Sequence, residues 1–290
     1  MNEESGLDRL LAQGRRLDPD RTLCVLFAPA ARRAELLALV LLNQELARVA
    51  ETVRQPLAGA IRLRFWRHQL AAAASGAACD HALARILAEP LREGRLPLPE
   101  LEVLIDARES ELEGLLEENW VPTGPRPSMA ALEAHVRATS GGLARAMARL
   151  LGAPDAIVTA AEAAGTAYGL VGLVRAAPFE AARARRIRVR SLLDAAGLDP
   201  GGPRRTEDRD RLCALARSLL GRAEAAIRYV RAEGGPTDRA CLAPFLLATV
   251  AEVQLRALQR VGCDPYRLPA RPGAALLPLR LLYAWLRRRA

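Results

Sequence analysis

The sequence predicts an all-α protein folded as a single-domain helical bundle. Three observations carry that reading. Ala, Leu, Arg and Glu dominate the chain, and all are good helix formers. Val, Ile, Thr and Tyr, which favour strands, are sparse and rarely alternate with polar residues. Apolar residues recur at three- and four-residue spacing on both sides of each loop, as expected when the helices share one core. A hydrophobic share of 51% is ample for that core. The 290 residues could hold one domain or two, but neither clear loop is long enough for a linker and no repeat stands out. One domain is therefore expected over residues 1–290, with residues 1–19 as an N-terminal extension and 274–290 as a basic amphipathic C-terminal helix.

The elements follow from their start and stop signals. A first helix is expected over residues 7–15, and a short one capped by Asp20 reaches Phe27. Pro29 suits the first turn of a long helix to Val53, where its missing N–H would be unpaired anyway. Pro56 opens a helix that stops before Gly76, and Asp80 caps one over 82–93 that ends at Gly94. Pro99 begins a helix to Glu118, and the prolines and glycine of 119–128 form a loop. Ser128 starts a helix to Leu151, and Pro154 starts another to Arg175. After the Gly- and Pro-rich loop at 197–206, helices are expected over 207–233, 237–261 and 274–289.

Charge and cysteine use restrict the function. The net charge is +9 and every basic side chain is Arg rather than Lys. Two readings compete: a GC-rich genome that encodes Arg where another would use Lys, which is favoured, or attraction to anionic lipid, diphosphate or an acidic partner. Nucleic acid is not expected as a partner, since zinc-finger spacing, RNP-like segments and aromatic-interleaved basic stripes are missing. Cys24, Cys79, Cys213, Cys241 and Cys263 are scattered and odd in number, which argues for a reducing compartment and against a disulfide framework or zinc site. The acidic N-terminus lacks a signal-peptide core, and uninterrupted apolar runs fall far short of the ~20 residues of a membrane span. A cytoplasmic protein, peripheral at most on the inner face of the plasma membrane, is the expectation.

Three segments bear a resemblance in order and spacing: LFAPAARRAELLALVLLNQELARVAETV (26–53), IRLRFWRHQL (61–70) and GTAYGLVGLVRAAPFEAARARRIRVR (165–190). Together they resemble the squalene/phytoene synthases, from about residue 20 to 190 and more loosely to the end. The resemblance implies the isoprenoid (trans-prenyl diphosphate) synthase type of bundle, with a deep central cavity. It also implies facing aspartate-rich motifs that hold Mg²⁺ against prenyl diphosphates. Carboxylates at i and i+4 share a helix face, and Mg²⁺ takes a few such oxygens together with phosphate and water.

This chain departs from the pattern where the metal would bind. The first motif, Asp-Asp-x-x-Asp, falls on Ala47, Arg48 and, at its end, Glu51; the second, Asp-x-x-x-Asp, falls on Ala176 and Glu180. A further Asp of the family's middle helix corresponds to Glu111. Arg48 also sets a fixed positive charge where a dication belongs. At ~4 Å and an effective dielectric of ~20, that repulsion is ~8 kcal/mol before water rearranges. No catalytic residue is therefore assigned and no cofactor is expected. Glu51, Glu111 and Glu180 would hold Mg²⁺ only if activity survives.

Glu45, Arg48, Glu51, Trp66, Arg175 and Glu180 are the ligand-binding candidates, either as a polar cluster at the former cavity or as ordinary ion pairs along helix faces. Arg62, Arg64 and Arg67 surround Trp66; Arg stacks on indole and grips anionic oxygens, so Trp66 either contacts a ligand or, as is expected first, packs in the core. Gly141, Gly142, Gly165, Gly169 and Gly172 allow close helix approach or line a remnant prenyl tunnel. The last residues combine Leu281, Leu282, Tyr283 and Trp285 with Arg280, Arg287, Arg288 and Arg289, a composition suited to a membrane interface or to a capping helix.

FAPAxxR- and Asn-x-Glu-Leu-Ala-Arg-type segments, at 27–33 and 43–48, are similar to the degenerate branch of the family that includes the mitochondrial complex I assembly factor. That resemblance implies a non-catalytic protein that helps a respiratory complex mature at the membrane, with respiratory-complex subunits or assembly proteins as partners. The rival is a prenyl-diphosphate transferase using Glu-based metal sites, and a prenyl-lipid carrier without turnover is a third reading.

Overall fold

The structure, a computed structural model, describes residues 3–53, 55–113, 127–183, 192–198, 201–233, 236, 238–269, 273 and 275–287. The side chains of Glu3, Glu4, Ser5, Glu51, Pro56, Glu113, Glu180, Ala181, Ala182 and Arg183 also lie outside this description. Among the described residues there is no strand. The helices are α1 (Glu3–Leu17), α2 (Pro19–Val25), α3 (Arg33–Thr52), α4 (Pro56–Ser75), α5 (Ala82–Arg92), α6 (Leu98–Glu113), α7 (Met129–Val136), α8 (Gly142–Leu150), α9 (Asp155–Arg183), α10 (Leu192–Ala195), α11 (Thr206–Ala232), α12 (Leu246–Arg260) and α13 (Leu277–Arg287).

Local chemistry explains where the boundaries differ from expectation. Asp18, not Asp20, caps α2: the following Pro19 pushes it out of the helical region, and its carboxylate accepts the Arg21 N–H at 3.2 Å. Pro29 caps a 3₁₀ turn at Ala30–Arg32, and the long helix starts after it. Gln69 Oε1 accepts the N–H groups of both Asp80 and His81, at 2.8 and 3.0 Å. The cap of α5 is therefore His81, whose Nδ1 accepts the Leu83 N–H at 3.2 Å. The expected helix 128–151 is broken by a π-helical turn at Arg137–Gly141. Helix α9 runs past Arg175 and through Pro178 to Arg183. The expected end of α6 and most of the 119–128 loop lie outside the described residues.

Three apolar clusters make the core. One joins α7, α9, α11 and α12. A second joins α3 to α6 with α8, and Leu7, Leu10, Leu11 and Leu17 of α1 pack on it. Residues 3–17, within the N-terminal extension read from the sequence, lie against α3. A third, smaller cluster seats α13 on α12 through Leu277, Leu281 and Ala284. Helix α9 is the axis, packed on α7, α8, α11 and α12. Its stretch Asp155–Phe179 is long and apolar enough to cross a membrane by composition, which a search for uninterrupted apolar runs overlooks. With 56% of that window buried inside the bundle, it reads as a core helix.

The glycines show why α9 can come so close to the π-helical turn. A Cβ on Gly165 would strike the Ser140 carbonyl and, at 2.5 Å, the Ala144 methyl. One on Gly169 would meet Val136 and Ser140 side chains at 2.5 and 2.6 Å. A Cβ on Gly172 would meet nothing within 4 Å. Overpacking costs ~1–3 kcal/mol, whereas Gly to Ala in a helix gains up to ~1 kcal/mol where there is room. Gly165→Ala should therefore destabilise by that larger amount while Gly172→Ala is neutral or stabilising. Urea unfolding of the two variants side by side checks this, and equal effects would remove close packing as the reason for Gly165.

Candidate functional site

The positions aligned with the metal motifs sit at the ends of α3 and α9. On α3, Ala47 is partly buried and Arg48 points outward, its side chain 48% exposed. Arg48 reaches Glu45 only at 3.9 Å, an i,i+3 pair on a solvated face that contributes a few tenths of a kcal/mol (~0.2–0.5). On α9, Ala176 is partly buried and Phe179 is exposed. Of the expected polar cluster, the structure joins Glu45 to Arg48. Arg175 goes elsewhere, and the Glu51 and Glu180 side chains lie outside the described residues.

Glu111 is buried at the far end of α6, its side chain 1% exposed. Its Oε1 accepts from Arg108 Nη1 at 2.7 Å and lies 2.8 Å from His135 Nε2 of α7. Burial pushes this carboxyl up, but Arg108 and then His135 outweigh it and hold the group below its ordinary range. Oε1 is engaged by a guanidinium and an imidazole and makes a poor ligand for Mg²⁺, while Oε2 is buried without a hydrogen-bond partner, so this carboxylate offers one free oxygen at most. The described residues at these positions (Ala47, Arg48, Ala176 and the engaged Glu111) do not fit a magnesium-diphosphate site. Among the described residues, no three His, Cys, Asp or Glu side chains cluster as metal ligands would.

Trp66 is a core residue. It is 5% exposed, sits among the leucines of α3 to α6, and meets His81 edge-on at 4.4 Å and Phe65 at 5.8 Å. Its arginine neighbours do not converge on the indole. Arg67 donates to Asp106 and Glu109 at 2.8 and 2.9 Å, and Arg62 donates to Thr52 Oγ1 at 2.9 Å.

The polar centre of the molecule lies one helical turn below the motif positions and was not recognised from sequence. Arg21 of α2 is buried and donates to Asp18 Oδ2 at 2.7 Å and to Ser140 Oγ at 2.6 Å. Ser140 Oγ donates in turn to the Gly165 carbonyl at 2.6 Å, which the π-helical turn makes possible by turning the hydroxyl onto α9. Gln44, one turn before Ala47 on α3, donates to Asp18 Oδ2 at 2.9 Å. Asp20 Oδ2 accepts from Gln254 Nε2 of α12 at 2.7 Å and from the Tyr168 hydroxyl at 3.3 Å, with Arg175 Nη1 at 3.9 Å. The Arg21 guanidinium also stacks 4.6 Å above the Tyr168 ring.

Two aspartates thus face two arginines, and the cluster compensates its own charge. Burial works against the Arg21 cation, yet Asp18 more than restores it and the guanidinium stays charged. Burial, and next the charge of Asp18, drive the Tyr168 hydroxyl well above its ordinary range, so it remains a donor. Each group contacts another protein group, although Arg21 Nε and Gln254 Oε1 remain buried without a hydrogen-bond partner. The arrangement can clamp α2, α3, α9 and α12 together, but it presents neither paired free carboxylates nor free cations to a diphosphate. The signal available in the sequence was a set of lone polar residues (Gln44, Ser140, Gln254) on otherwise apolar helix faces. A surface groove of about 340 Å³ between α11 and the end of α12, lined by Arg217, Glu224, Gln259 and Cys263, shares no residue with this cluster.

Comparison with known proteins follows the same lines. A family model described as squalene/phytoene synthase matches residues 15–280. The chain is 26% identical over 288 residues to the Bos taurus protein named NADH dehydrogenase (ubiquinone) complex I, assembly factor 6, covering 98% of this chain and 84% of that one. It is 24% identical to the Homo sapiens protein of the same name, covering 93% and 79%. Among solved structures it resembles a dehydrosqualene synthase in complex with ligand (TM-score 0.72, 14% identity, 97% and 96% covered). It also resembles squalene synthase HpnC from Alicyclobacillus acidocaldarius (TM-score 0.68, 17% identity, 90% and 95% covered). At those identities the structures speak for the fold alone.

Two outcomes test this account of the site. Arg21→Met leaves Asp18 buried without its partner, so it should cost ~3–5 kcal/mol in urea unfolding; adding Asp18→Asn should recover part of that loss, and full additivity would show that the two do not act together. Glu111 has a folded-state carboxyl below its ordinary 4.5. Its contribution is therefore complete above that value and is lost as pH falls through the lower, folded-state value. Glu111→Gln should lower stability at neutral pH and flatten the acid limb of the stability–pH curve below 4.5; an unchanged acid limb would contradict the pairing.

Proposed function

Because the chain belongs to the squalene/phytoene synthase family yet carries Ala47, Arg48 and Ala176 where that pattern has aspartates, we propose that it is a non-catalytic member acting in the assembly of respiratory complex I at the membrane. The observation that carries the proposal is the state of the metal positions. Alanines supply no ligand oxygen, Arg48 carries a guanidinium in place of a carboxylate, and Glu111 Oε1 is engaged by Arg108 and His135. Head-to-head prenyl condensation depends on metal-assisted departure of diphosphate, since the allylic cation forms only when the leaving group's charge is neutralised. Among the described residues, the motif positions offer no paired carboxylates that would fix that metal.

The respiratory half of the proposal draws on the relatives, which are named as complex I assembly factors and match over nearly the whole chain. A protein in this role needs the folded bundle and its surfaces, and no turnover. Its partners are then complex I subunits or other assembly proteins, and it works without a cofactor.

Two measurements separate this proposal from residual prenyl transfer. Incubation with farnesyl or geranylgeranyl diphosphate and Mg²⁺ should give no squalene or phytoene, and Mg²⁺ should not raise the melting temperature. Saturable stabilisation of about 2.7 kcal/mol at a hundredfold excess over Kd, lost on Glu51→Ala or Glu180→Ala, would instead support the enzyme. Deletion of the gene should lower assembled complex I and NADH-driven quinone reduction while isoprenoid content stays unchanged. Depleted isoprenoids with normal complex I would overturn the assembly role.

A further inference from the structure

Helix α13 carries two apolar stripes on opposite sides. Leu277, Leu281 and Ala284 are buried in one cluster with Leu246, Leu247, Val250 and Val253. The Trp285 ring lies 6.3 Å from Phe27, and the Arg239 guanidinium stacks over it at 5.0 Å. Arg239 also donates to the Leu286 carbonyl at 3.2 Å, satisfying one of the helix's last acceptors. The helix is therefore fixed to the bundle along its length. Leu281 and Trp285, grouped by the sequence with the interfacial residues, belong to this inner side.

At about 100° per residue, the outer side gathers Leu279, Leu282, Tyr283 and Leu286, extended by Leu276 just before the helix. All five are between 43% and 63% exposed. Arg280 and Arg287 stand seven residues apart, which places both on one edge of that stripe. The Arg287 guanidinium rests on the Tyr283 ring at 4.8 Å. Residues 265–290 contain six arginines and no acid. Five large apolar side chains at helical spacing form a patch that solvent alone does not explain. A second copy of the chain would bring a net charge of +9 and the same arginine-rich segment against the stripe, and like charges would oppose its docking. An anionic bilayer complements both features at once. Leucines enter the headgroup–acyl boundary, Tyr sits at headgroup depth, and Arg reaches phosphates.

We propose that α13 is a rigid interfacial helix that seats the bundle on anionic membranes, with Leu279, Leu282 and Leu286 immersed and Arg280 and Arg287 on headgroup phosphates. Nothing in this docking mode depends on which complex or reaction the bundle serves. The attachment is reversible, because one short apolar stripe and a few charges fall well short of a spanning segment.

Flotation of the full-length protein with phosphatidylglycerol vesicles, against phosphatidylcholine vesicles, reads this directly. Truncating α13 would remove Leu281 and Ala284 from the core, so point variants on the outer stripe are the informative ones. The protein should float with phosphatidylglycerol, about tenfold or more over phosphatidylcholine, and release near 1 M salt, where the Debye length is ~3 Å. Leu279→Glu with Leu286→Glu, and separately Arg280→Gln with Arg287→Gln, should each reduce binding about tenfold or more with melting temperature unchanged. Leu281→Ala should lower the melting temperature instead. Equal flotation with both lipids, no flotation with either, or full binding by the Leu279→Glu/Leu286→Glu protein would overturn the proposal. So would a dimer that the same variant dissociates while vesicle binding is absent.

Discussion

The buried ion pair between Arg21 and Asp18 is the contact on which the rest of the bundle depends. A guanidinium in the interior is tolerated only when its charge is matched, and this one draws on the cap of its own helix and on two other elements, although its Nε stays buried without a hydrogen-bond partner. Asp18 supplies the charge at 2.7 Å, Ser140 accepts at 2.6 Å, and the Tyr168 face lies 4.6 Å away. Ser140 can take part because the chain forms a π-helical turn there, and the turn fits against α9 because Gly165 and Gly169 carry no side chain. One polar requirement thus accounts for a helix irregularity, two glycines and the seating of α2. It also links the three apolar clusters, since its members come from helices of each.

The fold was legible because helix periodicity and composition depend on local chemistry alone. Pro56 at the start of α4 and Gly76 at its end were read directly from the sequence, and the structure gives Gly76 the left-handed conformation. The misplaced boundaries share a cause. Asp80 and Asp20 are both good capping residues by type, and tertiary partners decided otherwise. Gln69 took up the N–H groups of Asp80 and His81, while Asp20 was drawn to Gln254 and Tyr168, more than a hundred residues away in sequence. Propensity carries no information about such partners.

The candidate site was legible only in what it lacks. Ala47, Arg48 and Ala176 could be read against the family pattern without coordinates, and so could the charge conflict at Arg48. The positive content of the centre could not. Gln44, Ser140 and Gln254 each look like an isolated polar residue in an apolar helix, and only their convergence on Asp18, Arg21 and Asp20 shows their purpose. At Trp66 the sequence left packing and ligand contact both open; the ring lies in the core, and Arg62 and Arg67 donate to Thr52, Asp106 and Glu109.

The two halves of the centre have a common electrostatic logic. A site that holds dications must keep several carboxylates close together, and their mutual repulsion destabilises the fold until metal binds. Losing such acids, or pairing them internally, relieves that repulsion without a metal. Both features are present here: alanine and arginine at the motif positions, and internal partners for Asp18, Asp20 and Glu111. Helix packing in this bundle rests on apolar clusters and a knot of paired charges, so the architecture does not itself require the full set of motif aspartates. The same packing holds the outward apolar stripe of α13 in place from behind, through α12 and Arg239.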